Sequence, residues 1–164
     1  MKKVYVAECR LGRGLFAAVA IPRGEPILAF AGRLRALREI RDRPDSFNML
    51  QVGARLYMDL EAPGLFANHS CEPNAGVKDN TTLIALRDLV AGEEIQYDYS
   101  TTMAENLETM ECACGGACCR RVIRDFRHLP LESKRYYLAL GVVPDFILWQ
   151  ERLWACSSEH SRVG

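Results

Sequence analysis

The sequence predicts a mostly β domain with some α, carrying a compact cysteine loop and a C-terminal helical tail. Three observations lead there. Before residue 100 the apolar stretches are short, and Gly and Pro interrupt them repeatedly, which suits short strands in an irregular β domain. Cys112, Cys114 and Cys119 crowd together beside Gly115-Gly116. After Arg121 the texture changes to segments with helical spacing.

The elements follow in order. Val4 to Ala7 reads as a short strand, and Leu11 to Ala18 places two glycines before an apolar run. Ile21-Pro22-Arg23-Gly24-Glu25 is a turn, and Pro26 to Ala31 a second strand. Leu34, Leu37 and Ile40 have helical spacing within 34–43, and Pro44-Asp45 would end that helix. Leu56 to Asp59, Thr82 to Leu86 and Ile95 to Tyr99 read as further strands, the last entered through the turn Ala91-Gly92-Glu93-Glu94. Pro130 suits the first turn of a helix over Leu131 to Leu140, and Gly141 suits its stop. A second helix runs from Asp145 to Ala155, with Phe146, Trp149 and Leu153 on one face and Trp149 and Trp154 as packing aromatics. Ser157 to Gly164 is polar and expected to fray.

The chain has 164 residues, enough to bury a core without disulfides. Lys plus Arg equals Asp plus Glu at 21 each. This argues against a generally basic nucleic-acid coat and against an acidic disordered chain. The balance conceals asymmetry. Arg33 to Arg43 carries five Arg against Glu39 and Asp42. Asp88 to Glu111 carries seven acidic residues and no Lys or Arg, and Arg120 to Arg135 carries six basic residues against Asp125 and Glu132. An acidic segment of that length would attract a cationic ligand. Glu8 and Arg10 interrupt any signal-peptide core, and no apolar run reaches membrane-spanning length. The expectation is a cytoplasmic, nucleoid or nuclear protein with no membrane partner.

With no secretion signal, seven cysteines suggest metal ligands or thiols rather than a disulfide framework. Three thiolates as close as Cys112, Cys114 and Cys119 suit a tetrahedral metal, usually zinc. Cys118 adjoins Cys119 too closely to serve beside it, so the fourth ligand comes from a distance, and Cys71 is the candidate. Oxidised or buried thiols are the bland alternative, and the C-x-x-C spacing of a redox site is absent.

Two further segments stand out: Asn68-His69-Ser70-Cys71-Glu72-Pro73-Asn74 and Gly92-Glu93-Glu94-Ile95-Gln96-Tyr97-Asp98-Tyr99. With Gly12-Arg13-Gly14-Leu15-Phe16-Ala17 and the cysteine cluster, in that order, they resemble the SET-domain protein lysine methyltransferases with a post-SET zinc segment. The resemblance runs from about Val4 to Arg121. It implies a SET fold: small β-sheets around a pseudoknot, where the NHSC and YDY segments pass through each other. It divides the chain into a SET domain (1–108), a post-SET zinc segment (109–123) and a helical tail (124–164). The stretch from Gly32 to Tyr57 is short for the family, so a compact stand-alone form of bacterial or viral type is expected.

The resemblance also implies roles. S-adenosylmethionine would be the methyl donor, bound by Gly12, Arg13, Gly14, Leu15, Asn68, His69 and Tyr99. Tyr99 would be the catalytic tyrosine. Tyr97 would share the catalytic site and the lysine channel and, through a water on its hydroxyl, favour mono- or dimethylation. Phe30 would line the channel, without the hydroxyl that a tyrosine there supplies. Cys71, Cys112, Cys114 and Cys119 would bind one structural zinc. After the third post-SET cysteine the chain has Arg120-Arg121 where the family often has Arg-Gly, with Val122 or Ile123 left to cover the adenine. The implied substrate is a lysine in a basic protein, histone or histone-like, with no direct nucleic-acid binding. A catalytically silent SET fold acting as a binding scaffold is the competing reading.

Overall fold

The structure, a computed structural model, describes residues 2–41 and 46–160, with backbone alone at 47 and 153–160. The expected stop at Pro44-Asp45, the side chains of Leu153, Trp154 and Cys156, and residues 161–164 lie outside the described part.

The first two strands make a hairpin with one well-buried strand. β1 (Val4–Cys9) and β2 (Gly12–Ala17) pair antiparallel, and β2 buries Leu15 and Ala17 completely. β3 (Pro26–Ala29) follows the Pro22–Gly24 turn. β4 (Gly32–Ala36) leads into a single helical turn, α1 (Leu37–Ile40). β5 (Met49–Gly53) and β6 (Leu56–Leu60) complete a three-stranded sheet in the order β4-β6-β5. The short strands β7 (Asn68–His69), β8 (Ala75–Lys78), β9 (Thr82–Ala85) and β10 (Glu94–Tyr97) build the larger sheet. Its order is β1-β2-β10-β8-β9-β3, with β7 also pairing β10. β11 (Met110–Glu111) and β12 (Val122–Ile123) bracket the cysteine loop, and α2 (Leu131–Leu140) and α3 (Asp145–His160) form the tail.

The helix expected over 34–43 is mostly strand. Leu34 lies in β4 opposite Met58 and is half exposed, while Arg35 pairs with Asp59 at 3.6 Å across the same ladder. Only Leu37 and Ile40 use the helical spacing, burying themselves against Tyr57. Gly32 is fixed by close approach: a Cβ there would sit 1.9 Å from the Asp59 carbonyl oxygen. β5 was not expected, because Met49 to Gly53 lacks a clean alternation. β10 stops at Tyr97. Asp98 then caps a 3-10 turn over Tyr99–Thr102 by accepting from the Ser100 amide at 3.1 Å, so Tyr99 leaves the strand that the sequence assigned it.

The crossing sits at β10, which pairs antiparallel with β2 and then parallel with β7 along one edge, and parallel with β8 along the other. The loop 70–74 joins β7 to β8 around it. The Ser70 amide donates to the Tyr97 carbonyl at 3.1 Å, and the Asn74 amide donates to the Gln96 carbonyl at 3.2 Å. Buried Asn74 completes the lock: its Nδ2 donates to the Glu94 carbonyl at 2.8 Å and to Glu93 Oε1 at 3.0 Å, and its Oδ1 accepts from the Gln96 amide at 2.9 Å.

The tail docks as expected at its start. α2 matches its predicted bounds, and Gly141 ends it in a left-handed conformation at φ +65°. Its elbow is tightly packed, since a Cβ at Gly76 on β8 would lie 2.9 Å from Val142. Ile147 and Val142 are fully buried with Phe126, Leu129 and Tyr137. The inward face of α3 therefore centres on Ile147, not on Trp149, which is 66% exposed. The polar stretch expected to fray is still helical through His160.

Two stability outcomes follow. Ile147→Ala should cost about 2–5 kcal/mol in urea titration, with a single transition, because the cavity opens in a core shared by tail and sheet. Asn74→Ala should cost about 1–3 kcal/mol for each buried backbone group it orphans, read as a shift in the same midpoint.

Candidate active site and metal centre

The functional motifs converge because β10 carries one of them and β7 the other. Pairing sets Tyr97 beside His69 and Gln96 beside Asn68. The ring centroids of Tyr97 and Tyr99 lie 4.8 Å apart, and the His69 ring meets Tyr99 edge-on at 5.3 Å. A cavity of about 490 Å3 opens against this group, lined by Arg13, Asn68, Tyr97 and Tyr99 and by Tyr57, Phe66, Met103, Glu105 and Glu108.

The tyrosines are tuned by burial. Desolvation holds both hydroxyls protonated far above the ordinary tyrosine range, with the charge of Asp98 adding to the effect at Tyr97. The Tyr99 hydroxyl donates to the Ala67 carbonyl at 2.9 Å. Its proton is thereby committed, and its oxygen lone pairs are left to accept. The Tyr97 hydroxyl has no hydrogen-bond partner among the described residues and faces the cavity wall. Neither group is a base at neutral pH. Together they offer hydroxyl-oxygen lone pairs to an N–H donor in the cavity.

His69 is neutral. Burial lowers its pKa to about 4, against the pull of Asp98. The Tyr99 amide donates to Nδ1 at 3.2 Å, which leaves the ring proton on Nε2, 3.3 Å from the Cys71 sulfur. His69 thus ties the turn bearing Tyr99 to the cysteine cluster.

Asn68 is held by its amide end. Nδ2 donates to the Arg13 carbonyl and to Glu94 Oε1, both at 3.0 Å, and approaches the Cys9 sulfur at 3.4 Å. Its Oδ1 remains for a ligand donor such as an ammonium. Gly14 permits this arrangement, since a Cβ would lie 2.7 Å from Glu94 Oε1. Gly12 takes φ +102°, a region that glycine occupies at little cost. Arg13 packs its guanidinium 4.2 Å from the centroid of Phe66, at the cavity edge.

Not every residue singled out from the sequence reaches the cavity. The Leu15 side chain is fully buried in the main core, so only its backbone is available to a ligand. Phe30 is buried behind Tyr97, with centroids 5.8 Å apart, and does not line the cavity. Gly12, Gly14 and His69 stand behind the lining rather than in it. Conversely, Tyr57, Gln51, Glu105 and Glu108 line the cavity and were not singled out. The acidic run did flag Glu105 and Glu108 as charge. The Tyr57 hydroxyl donates to Glu105 at 3.2 Å, and Ser46 donates to Glu108.

The sulfurs of Cys71, Cys112, Cys114 and Cys119 all lie within 4.8 Å of one another. Cys71–Cys112 is 3.7 Å and Cys112–Cys119 is 3.6 Å. Tetrahedral coordination at about 2.3 Å per bond sets sulfurs about 3.8 Å apart, so the set fits a metal ion. The Arg120 amide points at the Cys71 sulfur and the Arg121 amide at the Cys119 sulfur, both at 3.4 Å, while burial pushes the metal-free Cys71 and Cys112 thiols up. Burial opposes ionisation of Cys114, but backbone groups at Cys71 and Gly116 and the neighbouring thiols outweigh it and bring that pKa to about 7. Cys118 is exposed and outside the cluster, though its amide donates to Glu72 Oε2 at 3.3 Å. Arg10 donates to the Ala113 carbonyl, fastening the cysteine loop to the first hairpin.

Comparison with known proteins follows the same lines. The Drosophila virilis histone-lysine N-methyltransferase trithorax is 34% identical over 129 residues, covering 68% of this chain and 3% of that protein. The human histone-lysine N-methyltransferase 2B is 29% identical over 130 residues, covering 68% of this chain and 5% of that one. The chain thus spans only a few per cent of these relatives' length. The crystal structure of KRYPTONITE in complex with mCHG DNA and SAH superposes with a TM-score of 0.59 at 22% identity, over 73% of this chain and 28% of that one. That likeness bears on the fold. No helix of the described residues is long and apolar enough to cross a membrane. Residues 12–100 match the SET domain family, more than half of the sequence, and the chain belongs to that family.

Proposed function

We propose that the chain transfers a methyl group from S-adenosylmethionine to a lysine amine of a basic protein, histone or histone-like. The observation that carries this reading is the Tyr97–Tyr99 pair in the wall of a cavity that Arg13 and Asn68 also line. The relatives named above as histone-lysine methyltransferases support it. The units 1–108, 109–123 and 124–164 serve as catalytic domain, metal-held closure and tail. The substrate would be met in the cytoplasm, nucleoid or nucleus.

The bound cofactor would supply an electrophilic methyl on a sulfonium centre. The backbone around Gly12, Arg13, Gly14 and Leu15, Asn68 Oδ1 and the His69 backbone would hold it. The rest is the work of this chain's residues. Lysine ordinarily titrates near 10.4, so the amine must shed its proton to react. Neither tyrosine can take it, because burial keeps both protonated. Desolvation among Tyr97, Tyr99 and Phe66 disfavours the ammonium instead, and the proton leaves to solvent. The Tyr99 oxygen, its own proton fixed on Ala67, accepts from the neutral amine and aims its lone pair. Glu105 and Glu108 draw the cation to the cavity without entering the chemistry. The Tyr97 hydroxyl holds a water beside the amine, which leaves room for one or two methyl groups rather than three.

Zinc in the four-cysteine set would pin the loop 112–123 against the crossing through Cys71. Val122 or Ile123, on β12, would cover the adenine end.

Two measurements test this. Incubation with labelled S-adenosylmethionine and core histones should give methyl-lysine, and Tyr99→Phe should lower kcat roughly 100- to 1,000-fold, as expected for losing a transition-state contact. Absence of cofactor binding by the wild-type chain would sink the enzyme reading, and binding without transfer to any basic protein would favour a silent scaffold. Metal analysis should find one zinc per chain, and Cys112→Ser should lose zinc and methyl transfer together.

A further inference from the structure

The tail lies outside the stretch matched to the SET family, yet one of its side chains reaches the centre of the site. Asp98 stands between Tyr97 and Tyr99, and its side chain is fully buried. Oδ1 accepts from Arg120 Nη2 at 2.7 Å and from the Ser100 amide at 3.1 Å. Oδ2 accepts from the Tyr137 hydroxyl of α2 at 2.9 Å. One carboxylate therefore joins three parts of the chain: the turn that begins with Tyr99, the residue that follows the last cysteine of the cluster, and the tail.

Each arm leads to a working part. The Asp98 carbonyl accepts from the Thr101 amide at 3.0 Å and from the Thr101 hydroxyl at 2.8 Å, so the carboxylate and backbone of one residue shape the Tyr99 turn. Arg120 gives its guanidinium to Asp98 and its amide to the Cys71 sulfur, and so couples the cysteine loop to that turn. A terminal carboxylate torsion is broad and nearly two-fold, so two bonds on Oδ1 alone leave its plane loosely set. The third bond, on the opposite oxygen, defines it. Tyr137 is well placed to give that bond. Its ring is buried among Phe126, Leu129, Val142 and Ile147, and burial with the Asp98 charge keeps its hydroxyl protonated.

We propose that Tyr137 is a positioning residue for methyl transfer: by bonding Asp98 Oδ2 it sets the carboxylate that holds the Tyr99 turn and Arg120 in register. This rests on the methyltransferase reading for its effect on rate, but the coupling itself does not. A tyrosine merely satisfied in a core would matter to α2 and α3 and not to residues 98–103 or 112–123.

Hydrogen exchange separates the two. Tyr137→Phe removes only the hydroxyl, and adjacent Tyr136, half exposed, gives Tyr136→Phe as the control. The expected result is exchange about tenfold faster at 98–103 and 112–123 with α2 as protected as before, the size set by one hydrogen bond to a charged group. With histone substrate, kcat should fall by a similar factor, and Tyr136→Phe should change neither. Substituting 4-aminophenylalanine at 137 restores a donor and should return both readings towards wild type. Faster exchange confined to 126–160, no change at all, or no recovery with the restored donor would overturn the proposal. The exchange reading needs neither cofactor nor substrate. If the wild-type chain transfers no methyl group, the functional reading fails while the exchange still decides the role of Tyr137.

Discussion

The parallel pairing of β10 with β7 and β8 is the constraint on which the rest depends. β7 and β8 hold opposite edges of β10, and the loop 70–74 carries the chain round from one edge to the other. Backbone bonds from Ser70 and Asn74 close it on β10. The geometry then decides which side chains meet. Asn68 and His69 come to lie beside Gln96 and Tyr97, and Tyr99 follows two residues past the strand's end, after Asp98 turns the backbone. Cys71 is in the same loop, so the cysteine cluster is attached to the crossing by a residue of the crossing itself.

Burial does the chemical selection. The groups nearest the Tyr97–Tyr99 pair are uncharged at neutral pH: two protonated hydroxyls and a neutral imidazole. Charge is kept one layer away. Asp98 is closed in by Arg120 and Tyr137, while Glu105 and Glu108 stand along the cavity. Under the proposed function, a substrate ammonium would be attracted by the outer layer and disfavoured as a cation by the inner one. The zero net charge of the chain says nothing of this, because it averages an acidic segment that lines the cavity over basic segments elsewhere.

The parts legible in the sequence were those where a local rule and a motif coincide. α2 ran between a proline and a glycine that both did what their backbones allow, and the cysteine set followed from spacing plus one distant partner. What escaped had tertiary causes. Leu34 carried a helical period but joined a strand, because Gly32 and Asp59 hold that ladder together more closely than any side chain would permit. Phe30 fell at a motif position, yet its ring went to fill the space behind Tyr97. Tyr57 and Tyr137 carry no motif and were invisible until strand pairing and tail docking brought them to carboxylates far away in sequence.

The distance in sequence between Cys71 and Cys112, 41 residues, has a consequence for how the chain reaches this state. Cys112, Cys114 and Cys119 form a local hook that can take hold of an ion early, since closing so short a loop is fast. The fourth corner becomes available only after residues 94–97 have been laid alongside both ends of the 70–74 loop, a long-range event that carries the entropy cost of bringing distant segments together. A fully coordinated ion would therefore be a record that threading has been completed. A chain that sealed its metal first would have to thread against it.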